Sequence, residues 1–97
     1  MHENDLMAKL ASMAKDYPSI IKVTLFGSRA RGHFHHSSDF DISVSCKDEK
    51  DFWGFYFDVE DIDTFYKIDV LWHETILNDV LIKEIKKDGV VLYERKA

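Results

Sequence analysis

The 97-residue chain has one cysteine, one proline and four glycines, and none of its apolar runs is long. A single thiol, Cys46, cannot close an internal disulfide, so a packed core must hold the chain together and a reducing, cytoplasmic setting is expected. The N-terminus, MHENDLMAKL, has no apolar signal core, and no stretch reaches the roughly 20 apolar residues of a membrane span, so a soluble protein is expected. Positive charge is scarce too: 13 Lys and Arg stand against 18 Asp and Glu, a net charge of −5. That balance argues against broad nucleic-acid binding, which depends on a basic footprint. Several phosphate and nucleophile motifs are also missing. GSRARG at 27–32 lacks the Lys-Ser/Thr ending of a P-loop, GxGxxG is absent, and Ser28 sits in no GxSxG elbow. His33, His35 and His36 lie close together, but no Cys pair or HExxH accompanies them, and a solvated loop is the better reading than a zinc site.

What is present suits one small globular domain spanning 1–97, with 45% hydrophobic residues to build a limited core. Leu6, Leu10 and Met13 recur at helical spacing, which predicts a helix over 3–16 ending before Pro18. Strands are expected at about 20–26, 40–46, 67–72 and 90–94. Phe52, Phe55, Tyr56 and Val59 fall at i, i+3, i+4 and i+7, so 48–60 reads as a helix with that stripe inward. Trp53 and Phe57 lie off the stripe, where exposed aromatics can mark an interface. A last helix over 76–87, with Leu77, Val80, Leu81 and Ile85 inward, is expected to stop at Asp88-Gly89. Cys46 falls in an apolar strand and reads as buried.

The chemistry concentrates between Phe26 and Ile42, FGSRARGHFHHSSDFDI. A β-branched, apolar run stops at Gly27-Ser28, and 28–32 can form a short helical turn whose backbone N–H groups face an anion, with Arg29 and Arg31 adding positive charge. Asp39 and Asp41 open the next strand, and their spacing of two puts both carboxylates on one face. Such a pair suits Mg²⁺, which takes one or two carboxylates and completes its shell with water and substrate phosphate. A third acid, Asp69, stands alone in the apolar run Lys67–Trp72, where a charge usually needs a partner or a metal. If the strands bearing Asp41 and Asp69 run parallel through the helix between them, all three carboxylates converge. Two cations about 3.5–4 Å apart are a recurrent answer to converging acids in in-line phosphoryl or nucleotidyl displacement.

Gly27-Ser28, the gap to Asp39-Phe40-Asp41-Ile42, and the distal Asp69 resemble the signature of the DNA polymerase β-type nucleotidyltransferase superfamily. GSRARG, the small size and the ending IKEIKKDGVVLYE are similar to its minimal nucleotidyltransferases, the MNT proteins often encoded beside a helical HEPN partner. The likeness covers about 20–94. It implies an α/β fold, a small mixed sheet with helices packed on it. It implies that Gly27, Ser28, Arg29 and Arg31 bind the nucleotide, and that Asp39, Asp41 and Asp69 are catalytic metal ligands. It also implies Mg²⁺, two ions in the usual arrangement, ATP as substrate, and transfer of AMP to a hydroxyl, such as a tyrosine of a HEPN-type toxin that the protein would antagonise in a homo- or hetero-oligomer.

Plainer readings stand beside this one. Gly-Ser and Asp-x-Asp are each commonly just turns, and membership of a fold does not guarantee activity. A non-catalytic nucleotide- or partner-binding module, and transfer to a small molecule such as an aminoglycoside, are the alternatives.

Overall fold

A computed structural model describes residues 2–32, 35 and 38–96. Each strand forms where β-branched and aromatic residues cluster: β1 (Ile20–Phe26), β2 (Phe40–Cys46), β3 (Ile68–Trp72) and β4 (Val90–Glu94) join one sheet in the order β3-β2-β1-β4. β1 runs antiparallel to β2 and β4, while β2 and β3 are parallel, joined through α3 (Glu49–Glu60). The mixed sheet is thus as expected.

Alternation along the strands divides the sheet. Val23, Leu25, Phe40, Ile42, Val44 and Cys46 point to one side and pack under α1 (Glu3–Ala14) and α3, whose Leu6, Leu10, Phe52 and Phe55 complete the core. The thiol of Cys46 is buried and lies 3.2 Å from the Ser19 hydroxyl. Asp48 caps α3, its side chain accepting from the Lys50 N–H at 3.0 Å. α1 stops two residues short of the expected end. The N–H groups of Asp16 and Tyr17 bond back to the Met13 and Ala14 carbonyls in a closing turn, because the residue before Pro18 is disfavoured in a helix.

The opposite side is more thinly covered, by α4 (Asp79–Asp88). Here the sequence expectation needs correcting. The helix begins at Asp79, because the Asn78 side chain accepts from the N–H groups of Val80 and Leu81 and fixes the cap there, after a 3₁₀ turn at His73–Thr75. Leu77 is left outside the helix, 94% exposed, and Val80 is exposed as well; Ile85 is the buried contact. Gly89 does stop the helix, but with extended rather than left-handed backbone. Its reason is space: a Cβ would lie 2.5 Å from the Thr24 methyl carbon and 2.2 Å from the Ile85 carbonyl oxygen. Among the described residues no helix is long and apolar enough to cross a membrane.

Candidate active site

Gly27 ends β1 with φ 76 and ψ −156, a backbone region that an L side chain strains to enter. A Cβ there would also come within 2.5 Å of Asp41 Oδ2. One atom's absence therefore lets the Gly-Ser turn and the Asp41 carboxylate meet. The turn leads into α2 (Ser28–Arg31), a single helical turn.

Asp41 is paired with Phe26 on one side, across β1, and in direct parallel register with Asp69 on the other. Burial, the Asp69 charge, the Asp39 charge and a hydrogen bond with the Asp69 carboxyl all push the Asp41 carboxyl above the usual range, with Arg31 pulling the other way. The two in-strand acids are therefore neighbours, and Asp39, just before β2, is close enough to be felt. Among the described residues no three acid, His or Cys side chains already stand together as a metal cage. Convergence is of a pair, with the third carboxylate beside it, as like charges favour. The donors are all hard oxygens, and two carboxylates opening on a cleft fit what Mg²⁺ asks of a protein, the remaining positions being left to water and phosphate.

That cleft, of about 690 Å³, is lined by Asp41 and Asp69, by Phe26, and by Tyr56, Tyr66 and Lys67 from α3 and the segment leading to β3. Its volume is in the range of small-molecule sites. Lys67 Nζ lies 3.8 Å from Asp69 and is well exposed. The sequence reading missed Tyr56, Tyr66 and Lys67 as cleft residues; the signal was their position, on the helix and turn that deliver Asp69 to its strand.

The two arginines divide. Arg31 is exposed at the end of α2 and acts electrostatically on Asp41. Arg29, expected beside a phosphate, is turned inward with its side chain 2% exposed. It donates to the Ser38 carbonyl at 2.9 Å and the His35 carbonyl at 3.4 Å, pairs with Glu3 at 3.2 Å, and lies over the Phe40 and Tyr66 rings. In this position it ties α1 and β2 to the segment that presents Asp39. His35 is exposed; His33 and His36 lie outside the described residues.

The Polymerase beta, Nucleotidyltransferase family model matches residues 8–97. No curated protein matches the chain in sequence. Several solved structures share its fold. A mutant of the MntA–HpeT toxin–antitoxin is 21% identical, over 93% of this chain and 74% of that one, with a TM-score of 0.69. A toxin–antitoxin with AMP-PNP is 23% identical over 98% and 76%, TM-score 0.67. The tri-AMPylated Shewanella oneidensis HEPN toxin in complex with MNT antitoxin is 19% identical over 97% and 74%, TM-score 0.67.

Proposed function

The chain belongs to the polymerase beta nucleotidyltransferase family, and on that premise we propose that it moves AMP from ATP to a hydroxyl, most simply a tyrosine of a HEPN-type partner toxin that it antagonises. The observation that carries this reading is the Asp41–Asp69 register beneath the Gly27-Ser28 turn. The nucleotide and the acceptor are suggested by the AMP-PNP complex and the AMPylated toxin among the proteins of like fold.

In this reading Gly27 and Ser28 orient the triphosphate, and Arg31 supplies positive charge at the same end of the cleft. Asp39, Asp41 and Asp69 would hold Mg²⁺, which when bound neutralises phosphate charge and polarises the phosphorus under attack. The acceptor oxygen forms a bond to the α-phosphorus in line with the bond to the bridging oxygen, that bond breaks, and pyrophosphate leaves. The acceptor's proton passes to a carboxylate oxygen, for which Asp69 is placed at the cleft. Arg29 acts at a distance, by fixing the backbone before Asp39. The whole site is built by one minimal domain, and its ATP dependence and reduced Cys46 suit the cytoplasm.

The test is intact-mass analysis of the chain and its HEPN-type partner after incubation with ATP and Mg²⁺. A gain of whole AMP units on the partner, absent with Asp39→Asn/Asp41→Asn, is expected. A stable complex with no mass gain would instead favour a binding module.

A further inference from the structure

α3 has two faces of different character. Phe52, Phe55 and Val59 are buried in the core, while Trp53 is 44% and Phe57 61% exposed. These two rings are not isolated: with the half-buried Tyr56 they form a mutually packed cluster with centroid separations of 5.3, 5.5 and 6.3 Å, while the exposed Phe65 ring stands apart. Clustered exposed aromatics are uncommon on a surface without a partner, and Trp and Tyr dominate the energetics of protein interfaces.

The surroundings of the cluster specify the partner's charge. Residues 48–65 contain seven acids against one lysine; Asp48 caps the helix and Asp51 and Asp58 bond to Ser19 and Tyr17, which leaves Glu49, Glu60, Asp61 and Asp63 against Lys50. Glu49 and Glu60 on the helix and Asp61 at its C-terminal cap are exposed, at the spacings of three and four that place them along the Trp53–Phe57 row. An apolar centre with a negative rim fits a positively charged surface around an apolar pocket.

The cluster is also continuous with the proposed reaction site. Tyr56 belongs to it and lines the cleft that holds Asp41 and Asp69, and Glu60 lines the cleft one turn further on. A surface seated over Trp53 and Phe57 would adjoin that cleft through Tyr56.

We propose that this face of α3 is the docking surface for the protein acceptor, a partner with a basic, apolar-pocketed surface that lays its hydroxyl into the cleft beyond Tyr56. The inference rests on the reading of the acceptor as a protein. It separates docking, done by Trp53, Phe57 and the acidic rim, from chemistry, done by the aspartates.

The test uses the full chain and its HEPN-type partner, with Trp53→Ala/Phe57→Ala and, separately, Glu49→Lys/Asp61→Lys. All four side chains are solvent-facing, and thermal melting checks that each variant is folded. Binding to the partner is expected to weaken at least tenfold for the aromatic pair, and the charge-reversed pair is expected to lose most of the salt dependence of the association rate. Where AMP moves, the aromatic pair should raise KM for the partner with kcat held within about twofold, and leave Mg·ATP affinity unchanged. Weakened binding supports the surface even if no AMP is transferred, so failure of the chemistry can be told from failure of the docking. Undiminished binding by the aromatic variant overturns the proposal, as does no complex with the parent chain. A homodimer of the parent that the aromatic substitutions dissociate would overturn it too, by assigning the face to a second copy.

Discussion

The two sides of the sheet are made from alternate residues of the same strands, and they differ in chemistry more than in burial, since Thr24, Phe26 and Ser43 are buried too. Val23, Leu25, Ile42 and Val44 face α1 and α3 and are closed from water. Their neighbours Thr24, Phe26, Asp41 and Ser43, with Asp69 on β3, face α4 or the open cleft. A period of two lets a seven-residue strand supply stability and chemistry at once. The difference teaches where charge is tolerated. Asp41 could not sit one residue earlier or later without entering the core. Even on its own side, burial and two neighbouring acids raise its proton affinity.

Breaking each side should therefore fail differently. Asp41→Asn or Asp69→Asn is expected to reduce nucleotidyl transfer on the order of 10³-fold while the protein stays folded, as kinetics and circular dichroism on one preparation would check. Phe55→Ala, at a fully buried site on the other side, should cost about 3–5 kcal/mol, out of a total that for such domains is about 5–15 kcal/mol. Its activity loss should follow the unfolded fraction in a denaturant titration. Gly27→Ala joins both kinds of damage. The strained backbone costs about 1–3 kcal/mol, and a methyl group aimed at Asp41 Oδ2 should lower transfer about 10²-fold in the protein that remains folded.

Two smaller effects sharpen the contrast. Because the Asp41 carboxyl is held above its ordinary range, its contribution to stability is present below pH about 4 and lost as pH rises through the folded value. Without nucleotide or metal, Asp41→Asn should then melt a few degrees higher than the parent at pH 7, with the gain vanishing in acid. On the core side, the Tyr17 hydroxyl donates to Asp58, which with burial pushes its pKa up to about 12. That bond's contribution is present below pH 10 and lost between 10 and about 12. Tyr17→Phe should lose less stability across that interval than the parent, by about 0.5 kcal/mol or less for so exposed a pair.

The strands and the acids were legible because their signals are local. Ile20–Phe26 and Phe40–Cys46 begin and end where composition changes, and the parallel pairing that aligns Asp41 with Asp69 follows from the helix between them. The start of α4 was misjudged because Leu77 and Val80 mimic helical spacing, whereas the Asn78 side chain decides the cap. Arg29 shows a deeper limit. Its neighbours in sequence are a phosphate-like turn, but its partners, Glu3, Ser38, Phe40 and Tyr66, are assembled from three other parts of the chain. The cleft wall of Tyr56 and Tyr66 was likewise invisible until α3 and β3 were placed.

The most direct test follows the label. ATP carrying one isotope at the α-phosphorus and another at the γ-phosphorus would be incubated with the chain, Mg²⁺ and the partner, and both proteins and the small products counted. The account predicts α-label on the acceptor, γ-label in released pyrophosphate, and loss of both signals in Asp69→Asn. Label from the γ-position on the acceptor, or transfer undiminished in Asp69→Asn, would contradict it.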